Sequence, residues 1–192
     1  MINIFAVIIF LLILSSPNFI QFMNIAIMID EITKKYTSLE PVVATRSDEQ
    51  KEILKIRSEI YSSLKKDIID ILDISLPLAK IYEFMEKIDE LENKYKTWIP
   101  VYGHIGDGNL HAHIMKSKGW TKDMYEKLAE EIYNLTIELG GVITGEHGIG
   151  TTRVKYLKKF IDKKYLEIMK SIKKLFDPNN ILNPGKVLPE GE

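Results

Sequence analysis

Histidine is the residue type whose distribution in this sequence most directly suggests chemistry. The chain has 192 residues and four histidines, and every histidine lies in one of two glycine-rich stretches, residues 103–113 and 145–150. Cysteine is absent, which excludes disulfides and thiolate metal sites. Any metal ion bound by the protein must therefore be held by histidine, aspartate or glutamate side chains.

The first stretch predicts a β-hairpin that brings two histidines together. Asp107-Gly108 is a favoured two-residue turn, and this turn pairs His104 with His111 across the strands. Directly opposed side chains share one face of the sheet, with Cβ atoms about 5 Å apart, so the two imidazoles can chelate one divalent metal ion. His113 falls on the same face. The alternative is that these histidines merely decorate a tight turn.

The second stretch places a carboxylate beside an imidazole, because Glu146 and His147 are adjacent in a loop flanked by glycines. Two histidines and one carboxylate are a common site for Zn, Mn or Fe, with positions left open for a substrate. By itself this loop is explained equally well by a surface charge pair. It indicates a metal site only when it is combined with the first stretch.

The elements that must position these residues alternate between helices and strands, without the glycine fingerprint of a dinucleotide-binding fold. Because two neighbouring strands form a hairpin, we expect an α+β fold of the ferredoxin-like type, an antiparallel sheet with helices packed on one side. The hydrophobic periodicity predicts helices at residues 25–36, 47–66, 78–95, 121–139 and 162–176. It predicts strands at residues 42–45, 69–76, 98–105, 110–115 and 142–144.

One predicted helix carries an arginine on its apolar side. Leu54, Arg57, Tyr61 and Leu64 share a stripe at helical spacing, so the guanidinium of Arg57 is expected among apolar neighbours. Without further context, the simplest interpretation is an arginine that extends its charged end to solvent at the edge of the stripe.

The overall composition describes a globular protein. The net charge is −1, 45% of the residues are hydrophobic and 28% are charged, so the chain can bury a core and lacks the basic excess of a nucleic-acid-binding surface. The absence of cysteine is compatible with a reducing cytoplasm.

The N-terminal segment departs from the rest of the chain. Residues 4–14 are an unbroken apolar run, which is short for a membrane span and lacks a preceding Lys or Arg. A buried strand, a weak signal or membrane anchor, and an irregular start left by truncation all remain open. We therefore expect an atypical apolar segment over residues 1–40 and one domain over residues 41–192.

Three motifs together resemble the C-terminal domain of FAD-linked oxidases, the family of D-lactate dehydrogenases, the glycolate oxidase catalytic subunit and D-2-hydroxyglutarate dehydrogenases. The motifs are HIGDGNLH at residues 104–111, GEHGIG at 145–150 and LNPGK at 182–186. They occur in the family's order, and the resemblance covers residues 42–188. The large FAD-binding domain with which the family's chains begin has no counterpart in this sequence.

The resemblance implies a role for each matched residue. His104, His111 and Glu146 match the family's metal ligands, and His147 matches the residue that takes the proton from the substrate hydroxyl. Arg57 matches an arginine that grips the substrate carboxylate, which favours a functional interpretation of this arginine.

Further matched positions concern the substrate and the flavin. Asn183 lies in a tail segment that runs close to the flavin ring in the family. His113 occupies a substrate-binding position that is asparagine in some members that oxidise dicarboxylates, and Ile71 stands where some relatives bring a lysine to the substrate. Both differences argue against a 2-hydroxyglutarate-type site.

The resemblance implies an FAD-dependent oxidoreductase component that oxidises a D-2-hydroxy acid, of the lactate or glycolate type, to the 2-oxo acid. It would use FAD and a divalent metal (Zn, Mn or Fe), with the FAD held by a separate domain or subunit without which the chain would be inactive. The electron acceptor stays open. The alternatives are a truncated remnant, a metal-binding module without redox activity, and a membrane-tethered subunit that uses residues 4–14.

Overall fold

A computed structural model describes residues 19–36, 44 and 46–188 of the chain. Contacts between Cα atoms divide it into two compact units, Met1–Glu59 and Ile60–Glu192. The apolar run at residues 4–14, the strand predicted at residues 42–45 and the domain boundary predicted after residue 40 lie outside the described residues or at their edge. Among the described residues, no helix is both long enough and apolar enough to cross a membrane.

The first unit contains helix α1, Phe19–Tyr36, and most of helix α2, Ser47–Leu64. The apolar stripe predicted on α2 is not buried in this structure: Leu54 is 43% exposed, Tyr61 is 44% exposed, and no residue of the helix is buried. Arg57 is exposed as well, which agrees with an arginine that extends its charged end to solvent. Helical spacing places residues on one face but does not by itself bury that face.

The second unit is an α+β fold, as predicted. Its three strands are β1 (Ile68–Ser75), β2 (Val101–His104) and β3 (Asn109–Met115), arranged in the order β1-β3-β2 with both pairs antiparallel. Its helices are α3 (Ile81–Tyr95), α4 (Lys122–Glu138), α5 (Val154–Phe160) and α6 (Lys163–Phe176).

The core lies on one face of this sheet, against helices α3 and α4. Leu72 and Ile74 of β1 are fully buried there together with Ala112 and Ile114 of β3. The helices contribute Phe84, Ile88, Leu128 and Ile132 to the same cluster. Successive side chains of a strand point to opposite faces, so Asp73 and His111 lie on the other face, away from this core.

The structure differs from the predicted secondary structure at one predicted strand and at one helix that was not predicted. Residues 142–144 do not form a strand, since only Val142 bridges to Ser75, and the chain then turns so that the N–H groups of Gly145 and His147 bond to a side chain instead of a strand. Helix α5 was not predicted, because its seven residues offer too few turns for a periodic pattern.

Candidate metal centre

The hairpin that carries three of the four histidines has a longer turn than the sequence predicts. His104 pairs with Asn109 and Tyr102 pairs with His111, so the predicted pairing of His104 with His111 is wrong. Residues 105–107 form a 3₁₀ turn, and Gly108 follows in the left-handed region with φ of 78°. A Cβ atom on Gly108 would lie 2.1 Å from the backbone oxygen of Leu76. Only glycine, which has no Cβ atom, avoids this clash.

The error in register leaves both histidines on one face of the sheet. The observed register differs from the predicted one by two residues, and a slip of two residues restores the original face whereas a slip of one reverses it. His104 and His111 are thus diagonal neighbours, with ring centroids 6.4 Å apart.

Glu146 connects the imidazoles in space. Its Oε1 atom lies 3.3 Å from Nε2 of His111 and 3.7 Å from Nε2 of both His104 and His147. Ligand atoms about 2.0–2.1 Å from a tetrahedral zinc ion are roughly 3.3–3.4 Å from one another. The separation between Glu146 and His111 matches this distance, and the separations from Glu146 to His104 and His147 are 0.3–0.4 Å longer.

His111 is the most buried of these ligand candidates, and its Nε2 atom is buried without a hydrogen-bond partner among the described residues. Burial lowers the pKa of His111, and the charge of His147 acts in the same direction. The imidazole is therefore neutral near pH 7, the form that binds a metal ion. A buried ring nitrogen that has no partner and faces a carboxylate fits a divalent metal.

His147 lies beside this cluster, with its ring centroid 4.6 Å from that of His111. Its side chain is half-exposed, and it lines a cavity of about 510 Å³. A histidine between candidate metal ligands and an open cavity is in a suitable position to exchange a proton with a bound molecule.

The cavity next to His147 has both apolar and polar walls. Its wall includes Ile68, Ile69, Ile71, Ile143 and Ile149. Lys65, Asp70 and Arg153 also line it, but Arg153 and Asp70 are paired with each other. The isoleucines offer apolar contacts to a ligand, and Lys65 offers a positive charge.

The Asp70–Arg153 ion pair holds the chain after the Glu146–His147 loop against β1. Arg153 donates from both terminal nitrogens to Asp70, from Nη1 at 2.6 Å, and also donates to the carbonyl oxygen of Ile71 at 2.8 Å. The hydroxyl of Tyr125 on α4 donates to the same carboxylate. Burial alone would raise the pKa of Asp70, but Arg153 and Tyr125 hold it below its usual value.

Asp73 is the site residue that sequence reasoning missed. It lies opposite His111 in the β1–β3 ladder and is 5% exposed. Asp73, His111 and His147 have ligand atoms within 4.8 Å of one another, so this trio is a second candidate ligand set. Oδ1 of Asp73 lies 3.4 Å from Nε2 of His111, about as close as Glu146, but three N–H groups already donate to the Asp73 carboxylate, so Glu146 has more acceptor capacity left for a metal ion. The available signal was the presence of two acidic residues, Asp70 and Asp73, within the otherwise apolar strand at residues 68–75.

The remaining predicted residues lie elsewhere. His113 is 1% exposed, and its ring stacks on Tyr102 with centroids 4.3 Å apart. Burial lowers the pKa of His113. Asn183 lies exposed in the C-terminal tail, and Arg57 is exposed on α2 in the first unit. The structure thus brings together His104, His111, Glu146 and His147, while the roles of the other three stay predictions.

Comparison with known proteins agrees with the motifs. The family described as FAD linked oxidases, C-terminal domain, matches residues 9–187. The chain is 40% identical over 158 residues to a D-lactate dehydrogenase of Archaeoglobus fulgidus, a match that covers 82% of this chain and 35% of the relative. It is 35% identical over 164 residues to glycolate oxidase subunit GlcD of Bacillus subtilis, covering 83% and 35%. It is 32% identical over 155 residues to a D-2-hydroxyglutarate dehydrogenase of Stutzerimonas stutzeri, covering 78% and 33%.

These matches define what the chain shares with its relatives. The matched region spans about a third of the length of each relative, and in this chain it includes all four residues of the cluster around Glu146. The family match covers most of the chain, and the chain therefore belongs to the family of FAD-linked oxidase C-terminal domains.

Proposed function

We propose that this chain is the substrate- and metal-binding part of a flavin-dependent dehydrogenase that oxidises a D-2-hydroxy acid, of the lactate or glycolate type, to the 2-oxo acid. The observation that carries the proposal is the position of Glu146 Oε1, within 3.7 Å of Nε2 of three histidines. The names of the relatives support a 2-hydroxy acid as the substrate class.

His104, His111 and Glu146 would hold the divalent metal, which we expect to be Zn, Mn or Fe. When bound, the metal supplies a positive charge that lowers the pKa of the substrate hydroxyl, and FAD supplies the acceptor for the hydride. His147 would take the proton of the hydroxyl as a general base at Nε2. The half-exposed position of His147 at the cavity supports this role.

The residue at position 71 supports a substrate with one carboxylate. Ile71 lines the cavity and offers no charge to a second carboxylate, in agreement with a lactate or glycolate type of substrate. We propose that Arg57 binds the carboxylate of the substrate, as a bidentate pair. His113 could contribute to substrate binding only if Tyr102 moved, because the two rings stack and His113 is buried.

The FAD would be held by a separate domain or subunit, with Asn183 near the flavin. An exposed apolar face on α6 supports such a partner: Tyr165, Ile168, Ile172 and Leu175 follow helical spacing and are 46–76% exposed. Apolar patches of this kind often contact another protein. The chain alone would then bind metal and substrate without completing the redox step.

Metal analysis of the purified chain tests the centre. We expect about one Zn or Mn per chain after equilibrium dialysis, and loss of this metal in His111→Ala and Glu146→Gln. Glu126→Gln is a matched control, because Glu126 pairs with Lys155 on the surface and should leave the metal content unchanged. Wild-type protein that takes up none of Zn, Mn and Fe would contradict the proposed centre.

Substrate oxidation requires the FAD-binding partner. With that partner and a loaded metal, D-lactate or glycolate should bleach the flavin absorbance, and His147→Asn should slow the bleaching by about 10²–10⁴-fold, the usual contribution of a general base. Stoichiometric metal without flavin reduction by any 2-hydroxy acid would instead favour the metal-binding module without redox activity.

A further inference from the structure

We propose that Asp73 is a positioning residue that holds the backbone of the Glu146–His147 loop so that both side chains reach the metal centre. This inference deepens the proposed function and rests on it. In this role the side chain of Asp73 acts through its neighbours and not as a ligand of the metal or the substrate.

The carboxylate of Asp73 is buried, and such a group is costly unless hydrogen bonds replace the lost water. Its Oδ2 atom accepts the backbone N–H groups of Gly145 at 2.9 Å and His147 at 2.7 Å. Its Oδ1 atom accepts Nδ2 of Asn109 at 2.8 Å. The burial of Asp73 is therefore balanced largely by bonds to the loop.

The two backbone bonds lie on either side of Glu146. Gly145 and His147 are the residues immediately before and after the proposed ligand, so fixing both N–H groups on one oxygen restricts the orientation of the peptide units between them. The Glu146 side chain then has its Oε1 atom 3.3 Å from Nε2 of His111. Without Asp73, the loop would lose the two bonds that define where this oxygen lies.

The loop backbone packs closely against the side chains of Asp73 and Asn109, which agrees with this role. A Cβ atom on Gly145 would lie 1.9 Å from Nδ2 of Asn109 and 2.8 Å from Oδ1 of Asp73. The loop backbone is thus packed directly on the Asp73–Asn109 pair. Asn109 in turn donates to the carbonyl oxygen of Ile74 at 3.0 Å, which connects the pair to the rigid strand β1.

The test compares two buried aspartates that both accept backbone N–H groups, of which Asp177 also pairs with Lys173. Asp73→Asn keeps the size of the side chain but replaces one acceptor oxygen with an N–H₂ donor. Asp177→Asn is the matched control, because Asp177 is 6% exposed and also accepts two backbone N–H groups, those of Ile181 and Leu182, each at 2.9 Å. Both variants lose a buried acceptor of backbone N–H groups, but only one of them contacts the loop.

Zinc affinity and the cobalt absorption spectrum are measured for both variants and the wild type at a temperature where all are folded. We expect Asp73→Asn to bind zinc about 10–100-fold more weakly, the usual effect of losing a partner that orients a ligand, while Asp177→Asn binds as the wild type does. The visible spectrum of Co²⁺ should keep its shape in Asp73→Asn, since the ligands are the same, and should change in Glu146→Gln.

Several results would overturn the inference. These are wild-type zinc affinity in Asp73→Asn, an equal loss in Asp177→Asn, or a changed cobalt spectrum that makes Asp73 itself a ligand. Hydrogen exchange in the metal-free chain separates this inference from the proposed function. If the wild type binds no metal, the proposed centre fails, whereas unchanged exchange at the Gly145 and His147 amides in Asp73→Asn would refute the role of Asp73.

Discussion

Replacing Arg153 with methionine removes one partner of the Asp70–Arg153 ion pair and should destabilise the second unit strongly. The side chains of Arg153 and Asp70 are only 13% and 18% exposed, so the remaining carboxylate cannot be fully solvated. Breaking a buried pair in this way typically costs about 3–5 kcal/mol. Tyr125 still donates to Asp70, so we expect the lower end, about 3 kcal/mol.

The assay is thermal and urea unfolding at pH 7. For a chain of this size, 1 kcal/mol corresponds to roughly 2–4 °C in Tm, so a loss of about 3 kcal/mol should lower Tm by roughly 6–12 °C. A double-mutant cycle that combines Arg153→Met with Asp70→Asn measures the interaction energy of the pair. The double variant should be more stable than the sum of the stability losses of the two single variants predicts.

The pH dependence of this variant gives a second check. Asp70 has a lowered pKa in the folded protein, so the stability from its pairing is complete above its unfolded pKa, about 3.9. That contribution is lost as the pH falls through the lower folded pKa. The difference between wild type and Arg153→Met should therefore shrink on acidification below about pH 4. A loss under 1 kcal/mol at pH 7, or a difference that grows in acid, would refute this account of the pair.

Three further substitutions have defined outcomes. Gly145→Ala should destabilise the chain by about 1–3 kcal/mol, as overpacking does, because the added Cβ would meet Nδ2 of Asn109. The same substitution should weaken zinc binding in equilibrium dialysis, and an unchanged zinc affinity would contradict the close packing of the loop. In the metal-loaded chain, Ile71→Lys should raise the affinity for D-2-hydroxyglutarate relative to that for D-lactate about tenfold, the effect of roughly 1.4 kcal/mol. If calorimetry finds no change in this ratio of affinities, Ile71 does not face the substrate. Tyr133→Phe should leave Tm unchanged or raise it slightly. The buried hydroxyl of Tyr133 has no hydrogen-bond partner among the described residues, so its removal leaves no other polar group without a partner. A clear fall in Tm would show that the hydroxyl is hydrogen-bonded.

Much of the fold was predictable from local patterns. Strand β1 and helices α3, α4 and α6 lie within a few residues of their predicted positions, because the hydrophobic periodicity of these segments is set by the residues themselves. The short helix α5 and the single bridge at Val142 were not predictable in this way. Each depends on where the preceding loop is held by β1.

The identities of the candidate metal ligands were determined by the sequence, since four histidines in two glycine-rich stretches leave few alternatives. The register of the hairpin was decided by tertiary structure. The N–H group of Leu76 donates to the oxygen of Gly108 at 2.9 Å, so the turn is shaped by the end of β1 and not by Asp107-Gly108 alone. His104 and His111 still lie on one face of the sheet, because the observed register differs from the predicted register by two residues and not by one.

Asp73 marks the limit of what the sequence by itself determined. Its position within an apolar strand indicated an unusual residue, but its partners Gly145 and His147 lie 72 and 74 residues further along the chain. No local pattern encodes which backbone N–H groups a buried carboxylate will accept, because that choice follows from the packing of a loop against a strand. The sequence therefore supplied the residue types of the candidate ligands, and the tertiary structure decided how the loop that carries Glu146 is held in place.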